Sequence, residues 1–401
     1  MRREFFVLSS IAFILLTGSS LAACGGSGSD NENNGGTSKD TTGKETHDTT
    51  VIVVPTTDTT RYVGGDISML PLYQNFGIVY KDSAGNTVDF LPFVKSQGMN
   101  VMRVRLFVDP TRDNDKTTVQ DESYVISLAK QIKAAGFKLM LDFHYSDTWA
   151  DPLSQSKPAT WSSLTGDALK EQLYNYTRQT LQNFVAAGAT PDFIQTGNEI
   201  SYGMLWPAGK VSYENATGWS YLCSLLNAAG KACREVCPKA KIILHTERTA
   251  NQVQSKSFYN YMKSNSVDYD IIGLSYYPIW HQRLSVLDGT LTALESSFTD
   301  KKIMIVEFGY NYAYYPTDVY DYTTVYPATP AGQRALTSDL ITMLRRHNSV
   351  TGLVWWFPEE NECCPAGWTQ LLNSWTNRGL WNNATGCALP ALYELKGFTA
   401  K

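Results

Sequence analysis

Eight short apolar runs, each closed by a polar, ionisable or aromatic residue, constrain this chain more than any other feature. They cover residues 62–66, 100–106, 138–144, 193–197, 241–245, 271–276, 302–307 and 352–356. Runs of this length bounded by turn residues read as strands. The stretches between them, such as 124–135, 168–187, 216–235 and 331–346, carry amphipathic helical patterning. Gly136 and Gly188 stand where helix C-terminal glycines belong. Eight strand–helix units over about 340 residues predict an α/β fold, a single (β/α)8 TIM barrel. An open doubly wound sheet would need a phosphate-binding glycine fingerprint after its first strand, and the chain has none there.

A barrel of this kind builds its active site at the C-terminal ends of its strands. The runs end on Asp66, on Arg103 and Arg105, on Asp142 and His144, on Asn198 and Glu199, and on His245. The remaining three end on Tyr276, on Glu307, and on Trp355 and Trp356. Buried charges are costly unless paired, so stability alone does not ask for them at every strand end.

Two carboxylates stand apart. Glu199 closes the fourth run and Glu307 the seventh. Strands four and seven lie on roughly opposite sides of a closed barrel, so their end residues can face each other across its mouth. Glycoside hydrolysis needs such a pair, and retaining enzymes hold the two groups roughly 5–5.5 Å apart. One carboxyl keeps its proton as the general acid while the other stays ionised as the nucleophile. Asn198, directly before Glu199, is a natural partner for a sugar 2-hydroxyl.

The longer motifs narrow this reading. Gly65-Asp66-Ile67-Ser68, Val101-Met102-Arg103-Val104-Arg105-Leu106 and Leu141-Asp142-Phe143-His144-Tyr145-Ser146-Asp147-Thr148-Trp149-Ala150-Asp151-Pro152 resemble glycoside hydrolase family 53. Gln195-Thr196-Gly197-Asn198-Glu199-Ile200, Ile242-Ile243-Leu244-His245 and Ile271-Ile272-Gly273-Leu274-Ser275-Tyr276-Tyr277-Pro278 extend the resemblance along the chain. It implies endo-acting hydrolysis of β-1,4-galactan, the side chains of pectin also called type I arabinogalactan. It further implies a galactosyl-enzyme intermediate, with Glu199 as acid/base, Glu307 as nucleophile and no cofactor. Asp66, Arg103, His144, Trp149, Asp151, Asn198, His245, Tyr276, Asn311 and Trp356 are then expected to line the substrate site, with Tyr276 donating a hydrogen bond to Glu307. Trp356 is expected beneath the sugar at the cleavage site. Trp355 should face the core, by alternation along the strand. Trp149 fits either a loop platform or a packing role.

Two loops depart from the family pattern. Some bacterial members carry a calcium loop after strand seven. Here Tyr310-Asn311-Tyr312-Ala313-Tyr314-Tyr315-Pro316-Thr317-Asp318 is aromatic and poor in hard oxygen ligands, so no metal is expected. After strand eight, Glu359-Glu360-Asn361-Glu362-Cys363-Cys364 reads as a solvated acidic loop that Cys363 or Cys364 could staple to Cys387.

The N-terminus belongs outside the barrel. Arg2, Arg3 and the apolar stretch 5–16 form a signal peptide over residues 1–23, ending in Leu21-Ala22-Ala23-Cys24. This resembles a lipobox, so Cys24 is expected to carry lipid and to anchor the protein to a membrane it does not span. Residues 24–60 read as a flexible tether and 61–399 as the catalytic barrel. The expected location is the bacterial envelope, on the outer membrane, facing the cell surface or the periplasm. Cys223, Cys233, Cys237, Cys363, Cys364 and Cys387 permit fifteen pairings, and the sequence selects none. A net charge of −4 leaves no basic excess for a nucleic-acid partner. The expected partners are galactan or galacto-oligosaccharides, and a monomer is the default. Two other readings fit part of the pattern: a mannanase- or cellulase-type hydrolase of the same clan, and a non-catalytic lipid-anchored glycan binder.

Overall fold

The computed structural model describes residues 60–112, 117–316, 319–361 and 377–400. The signal peptide, Cys24 and nearly all of the tether lie outside the described residues, as do Asp318, Glu362, Cys363 and Cys364. Eight parallel strands close into a barrel. They are β1 (Tyr62–Asp66), β2 (Val101–Leu106), β3 (Lys138–Phe143), β4 (Phe193–Thr196), β5 (Lys241–Thr246), β6 (Ile271–Tyr276), β7 (Lys302–Phe308) and β8 (Val350–Trp356). Each strand pairs with its neighbours in sequence, and β1 pairs with β8 to close the ring.

Helices follow where the amphipathic stretches were read. Asp121 caps Glu122–Ala134, its carboxylate accepting the Tyr124 N–H at 2.8 Å. Gly136 and Gly188 take φ of +77° and +72° just past their helices, the left-handed turn that glycine adopts without a Cβ clash. Trp219–Val236 buries Leu222, Leu225, Leu226 and Ala229 against the barrel wall. Each such leucine contributes about 1.5–3 kcal/mol of hydrophobic stabilisation. Cys223, Cys233 and Cys237 are buried free thiols, and Cys387 is free as well.

Side-chain alternation sorts each strand into two faces. Residues facing outward, such as Met102, Leu141, Ile194, Leu244, Leu274, Ile305 and Trp355, pack under the helices. The lumen is plugged by a separate cluster of Val101, Met140, Phe193, Ile243, Ile271, Met304, Val306 and Val354. Above this apolar plug, counting by twos along each strand, come Asp66, Arg103, Asp142, Gln195 and His245. The polar strand ends thus sit on a buried apolar floor.

Two strands break the count: β8 spends one residue more than β7 between Val350 and Gly352, and β7 spends one more near its end. Leu274 pairs with Ile305 and Ser275 with Glu307, so β7 spends one residue more than β6. Against β8, Leu353 pairs with Ile305 and Trp355 with Phe308, again one residue extra. This is a β-bulge, which bends a strand and re-aims its side chains. Val306 belongs to the lumen plug and Glu307 next to it also points inward.

Candidate active site

Arg103 is the hub of the site. Its NH1 lies 2.7 Å from Asp66, and its NH2 lies 2.8 Å from Asp142 and 2.9 Å from Glu307. NH2 also donates to the Asn198 side-chain oxygen at 2.9 Å. All five residues are buried. A single guanidinium therefore holds three carboxylates together at the floor of the mouth. Burial penalises its charge, yet Asp142, Glu307 and Asp66 together raise its proton affinity above the ordinary arginine range. Asp142 is likewise buried, but Arg103 and His144 keep it below the usual carboxylate range, ionised.

Glu307 is bound from two sides. Arg103 approaches Oε1, and the Tyr277 hydroxyl donates to Oε2 at 2.8 Å. Burial pushes its carboxyl up, to about 7, against the opposing pull of Arg103 and Tyr277. The Tyr277 phenol is held far above its usual range by burial and by the charges of Glu307 and Glu199, so it remains a donor. His281 Nδ1 accepts the Tyr277 N–H at 2.9 Å and fixes the turn that presents the phenol.

The expectation that Tyr276 makes this contact is corrected. Tyr276 packs in the outer shell, and its hydroxyl donates to the Gln282 carbonyl at 2.8 Å. Inward positions on β6 are Ile271, Gly273 and Ser275, so the next is Tyr277. Counting from the first strand residue would have found it.

Glu199 has a different environment. β4 stops at Thr196, Gly197 turns with φ of +102°, and Glu199 itself adopts φ +47°, ψ +50°. A non-glycine residue held in the left-handed region costs about 1–3 kcal/mol and persists only where neighbours over-determine it. Here Gln155 Nε2 donates to the Asn198 carbonyl at 2.8 Å, and Asn198 Nδ2 to the Ala150 carbonyl at 2.8 Å. The Glu199 N–H points to His245 Nδ1 at 3.3 Å. Oε1 of Glu199 meets the Ser275 hydroxyl at 2.6 Å, and Ser275 meets His245 Nε2 at 2.8 Å. Burial, the Glu307 charge and the Glu247 charge all raise the Glu199 carboxyl well above its usual range. The Ser275 hydroxyl pulls against that rise. His245 is neutral, its proton affinity lowered by burial and by Arg103.

The other side chains expected to line the substrate have defined neighbours. His144 lies 3.1 Å from Asp142, and its Nδ1 accepts the Ala150 N–H at 3.0 Å, which makes Nε2 the protonated nitrogen. Asp151 accepts the N–H groups of Leu153 and Ser154 and adds negative charge near Glu199. Trp356 stands perpendicular to Tyr277 with ring centroids 6.3 Å apart, and Trp149 lies 6.3 Å from Trp356. Trp149 both packs and borders the cleft: Arg105 covers one face at 4.3 Å, and its N–H donates to Thr117. Trp355 is core, as alternation required. Asn311 is buried just beyond β7.

Sequence reading did not single out Gln195, Ser275, Tyr277 or Glu247. All four follow from the inward count. Gln195 bonds both Asp142 and His245. Glu247 accepts the Ser201 hydroxyl at 2.6 Å, steadying the turn after Glu199, and burial raises its proton affinity. The described part of the acidic loop after β8, residues 359–361, is buried rather than solvated. Glu359 is fully buried with its Oε1 accepting the Met69 N–H at 3.0 Å, and burial keeps it protonated far above the usual range.

Tyr277→Phe separates the two tyrosines. Removing a donor to a charged group costs about 1.5–3 kcal/mol, so kcat/KM should fall about 10–100-fold. The acidic limb of the pH profile should move upward, because the lost bond favoured the ionised carboxylate. Tyr276→Phe should leave that limb in place, and an equal shift in both variants would reject the correction.

Comparison with known proteins agrees with this arrangement. The sequence profile of glycosyl hydrolase family 53 matches residues 62–395. An Aspergillus fumigatus protein named probable arabinogalactan endo-β-1,4-galactanase A is 33% identical over 312 residues, 74% of this chain and 83% of its own. An endo-β-1,4-galactanase of Bacillus subtilis is 30% identical over 306 residues, 74% of this chain and 69% of its own. Among solved structures, the Ignisphaera aggregans family 53 catalytic domain superposes with a TM-score of 0.77 at 31% identity, covering 86% of this chain and 98% of that one. One of two fungal β-1,4-galactanases solved together gives 0.72 at 29% identity, covering 83% and 98%. The barrel, its two inward glutamates and the match from β1 to the last helical turn place this chain in glycosyl hydrolase family 53.

Proposed function

We propose that this protein cleaves the β-1,4 bonds of galactan by an endo-acting, retaining double displacement, with Glu307 as nucleophile and Glu199 as acid/base. The observation that carries the assignment is the asymmetry of the pair. Glu307 has a cation and a phenol stabilising its ionised form, while Glu199 has burial and neighbouring negative charge favouring its protonated form. Of the two, Glu307 therefore ionises first and Glu199 keeps the proton. The names of the relatives support galactan as the substrate over mannan or cellulose.

In the first step the Glu307 carboxylate attacks the anomeric carbon. The glycosidic bond breaks, and Glu199 gives its proton to the departing oxygen. In the second, ionised Glu199 takes a proton from water as that water attacks the same carbon. The ester bond breaks, Glu307 leaves as carboxylate, and the β configuration is restored. Ser275 suits an acid/base that alternates, because a hydroxyl donates to a carboxylate and accepts from a carboxylic acid. Trp356 offers an apolar face near Glu307, and Asn198, fixed through Ala150 and Arg103, is placed for the sugar 2-hydroxyl.

The pH profile should be bell-shaped. Activity is lost as pH falls through the Glu307 ionisation and as it rises through that of Glu199. The test of function is NMR analysis of products from β-1,4-galactan, with mannan, xylan and cellulose in parallel. Internal cleavage with first-formed β product is expected. No turnover of galactan rejects the substrate, and first-formed α product rejects retention. A glycan-binding role without catalysis would give no products at all.

The lipobox-like Leu21-Ala22-Ala23-Cys24 supports an envelope lipoprotein tethered through Cys24. Cys24→Ala should release the protein from the membrane fraction, and retention there would reject the anchor.

A further inference from the structure

The loop from Gly309 to Thr329 is unusually rich in tyrosine, with seven between residues 310 and 326. Most of them hold the loop in shape. The Tyr310 hydroxyl donates to the Tyr326 carbonyl at 2.6 Å, and that of Tyr326 to Asp339 at 2.7 Å. The Tyr315 hydroxyl donates to the Tyr320 carbonyl at 3.0 Å, and that of Tyr322 accepts the Leu284 N–H at 3.3 Å. Asn377 gathers the N–H groups of Tyr312, Ala313 and Tyr314 on one side-chain oxygen, at 3.0–3.2 Å. Tyr315 and Val319 pack against the cluster that contains Trp356 and Tyr277. The loop is thus braced from below and joined to the cleft floor.

Two of the rings reach solvent. Tyr314 is 45% exposed and Tyr320 is 38% exposed. The Tyr320 N–H bonds the Ile279 carbonyl at 3.2 Å, which sets it beside Trp280, itself 44% exposed. Among the described residues four large aromatic side chains are exposed, and three of them are these. Single exposed apolar residues are ordinary, but three large rings on loops at one end of the barrel mark a candidate binding surface. All three follow the C-terminal ends of β6 and β7, the end that carries the catalytic pair.

We propose that Tyr314 and Tyr320, together with Trp280, form an outlying stacking rim that holds galactosyl units of the polymer beyond the cleavage site. This rests on the galactanase reading above. The occupant follows from chemistry. Galactose carries the hydrogens of C3, C4 and C5 on one face, making an apolar patch that lies flat on an aromatic ring. An endo-acting enzyme meets a long chain, so sugars remote from the reacting bond must pass over the rim of the cleft. A loop braced by these hydrogen bonds presents the rings with less ordering cost on binding.

The test compares long β-1,4-galactan with galactotriose as substrates for Y314A/Y320A and Y314F/Y320F. For the alanine pair, kcat/KM on the polymer should fall about tenfold, equal to about 1.4 kcal/mol, while turnover of galactotriose stays as in the unchanged enzyme. The phenylalanine pair should match the unchanged enzyme on both, since stacking uses the ring face. Unchanged polymer kinetics in Y314A/Y320A overturn the rim while leaving the galactanase reading intact. Equal losses on both substrates also overturn it, by pointing to the reacting centre. Absence of galactan turnover by the unchanged enzyme removes the substrate and the rim together.

Discussion

Glu307→Ala should lower kcat on galactan by about 10⁴–10⁶-fold, the range seen when a central catalytic group is removed. The loss is large because two steps fail at once. No carboxylate attacks the anomeric carbon, and none leaves it afterwards. Glu199→Ala should cause a comparable loss on galactan, whose leaving group needs a proton. With an activated aryl galactobioside the two variants part company. Glu199→Ala then still forms the galactosyl ester, and added azide should release a β-galactosyl azide from it. In Glu307→Ala, azide can occupy the vacated space and attack directly, giving the α-azide. Turnover of galactan surviving either substitution, or the same azide anomer from both, would refute the assignment.

Arg103→Met should be the most damaging substitution outside the pair. It leaves Asp66, Asp142 and Glu307 buried around a missing cation. Breaking a buried pair by removing one partner costs about 3–5 kcal/mol. Urea unfolding should show that loss at neutral pH. The sign of its pH dependence follows from Glu307, whose carboxyl burial already pushes up to about 7. A folded-state carboxyl raised above its unfolded value destabilises once pH exceeds the unfolded value. Without Arg103 the rise grows, so the variant should recover part of its stability as pH falls below 7. Its activity should decline for the same reason, because the nucleophile ionises later. Arg103→Lys should not restore function, since an ammonium lacks the planar fork that reaches several acceptors at once. A variant with unchanged stability and an unmoved acidic limb would show that the hub is dispensable.

Much of this was legible in the chain. Strand boundaries read from apolar runs fall within two residues of those observed, because a strand buried on both faces leaves little but hydrophobic residues to read. Glu199 and Glu307 were legible as strand-end carboxylates. Tyr277 was missed because the motif Ser275-Tyr276-Tyr277 offers two adjacent phenols, and only the phase of the alternation separates them. Phase is a property of the whole strand, so the error came from reading the motif locally. Glu359 was read as solvated because charge usually marks a surface. Its burial depends on Met69 and Tyr80, almost three hundred residues earlier. Gln155, which holds the turn before Glu199 by its side chain, shows the same difficulty. Contacts set by tertiary closure leave no periodic trace.

The extra residue in β7 has a consequence for anyone moving this pair into another scaffold. An idealised barrel keeps strict two-residue alternation on every strand. Copied onto it residue for residue, Val306 would face the lumen and the carboxylate after it would face the helices. The catalytic geometry therefore resides partly in a count, one extra residue beside Glu307 near the end of β7, as well as in the identity of any side chain. Near Glu307 this strand should accept changes of residue far more readily than changes of length, and a sequence comparison that scores only identities would not register the difference.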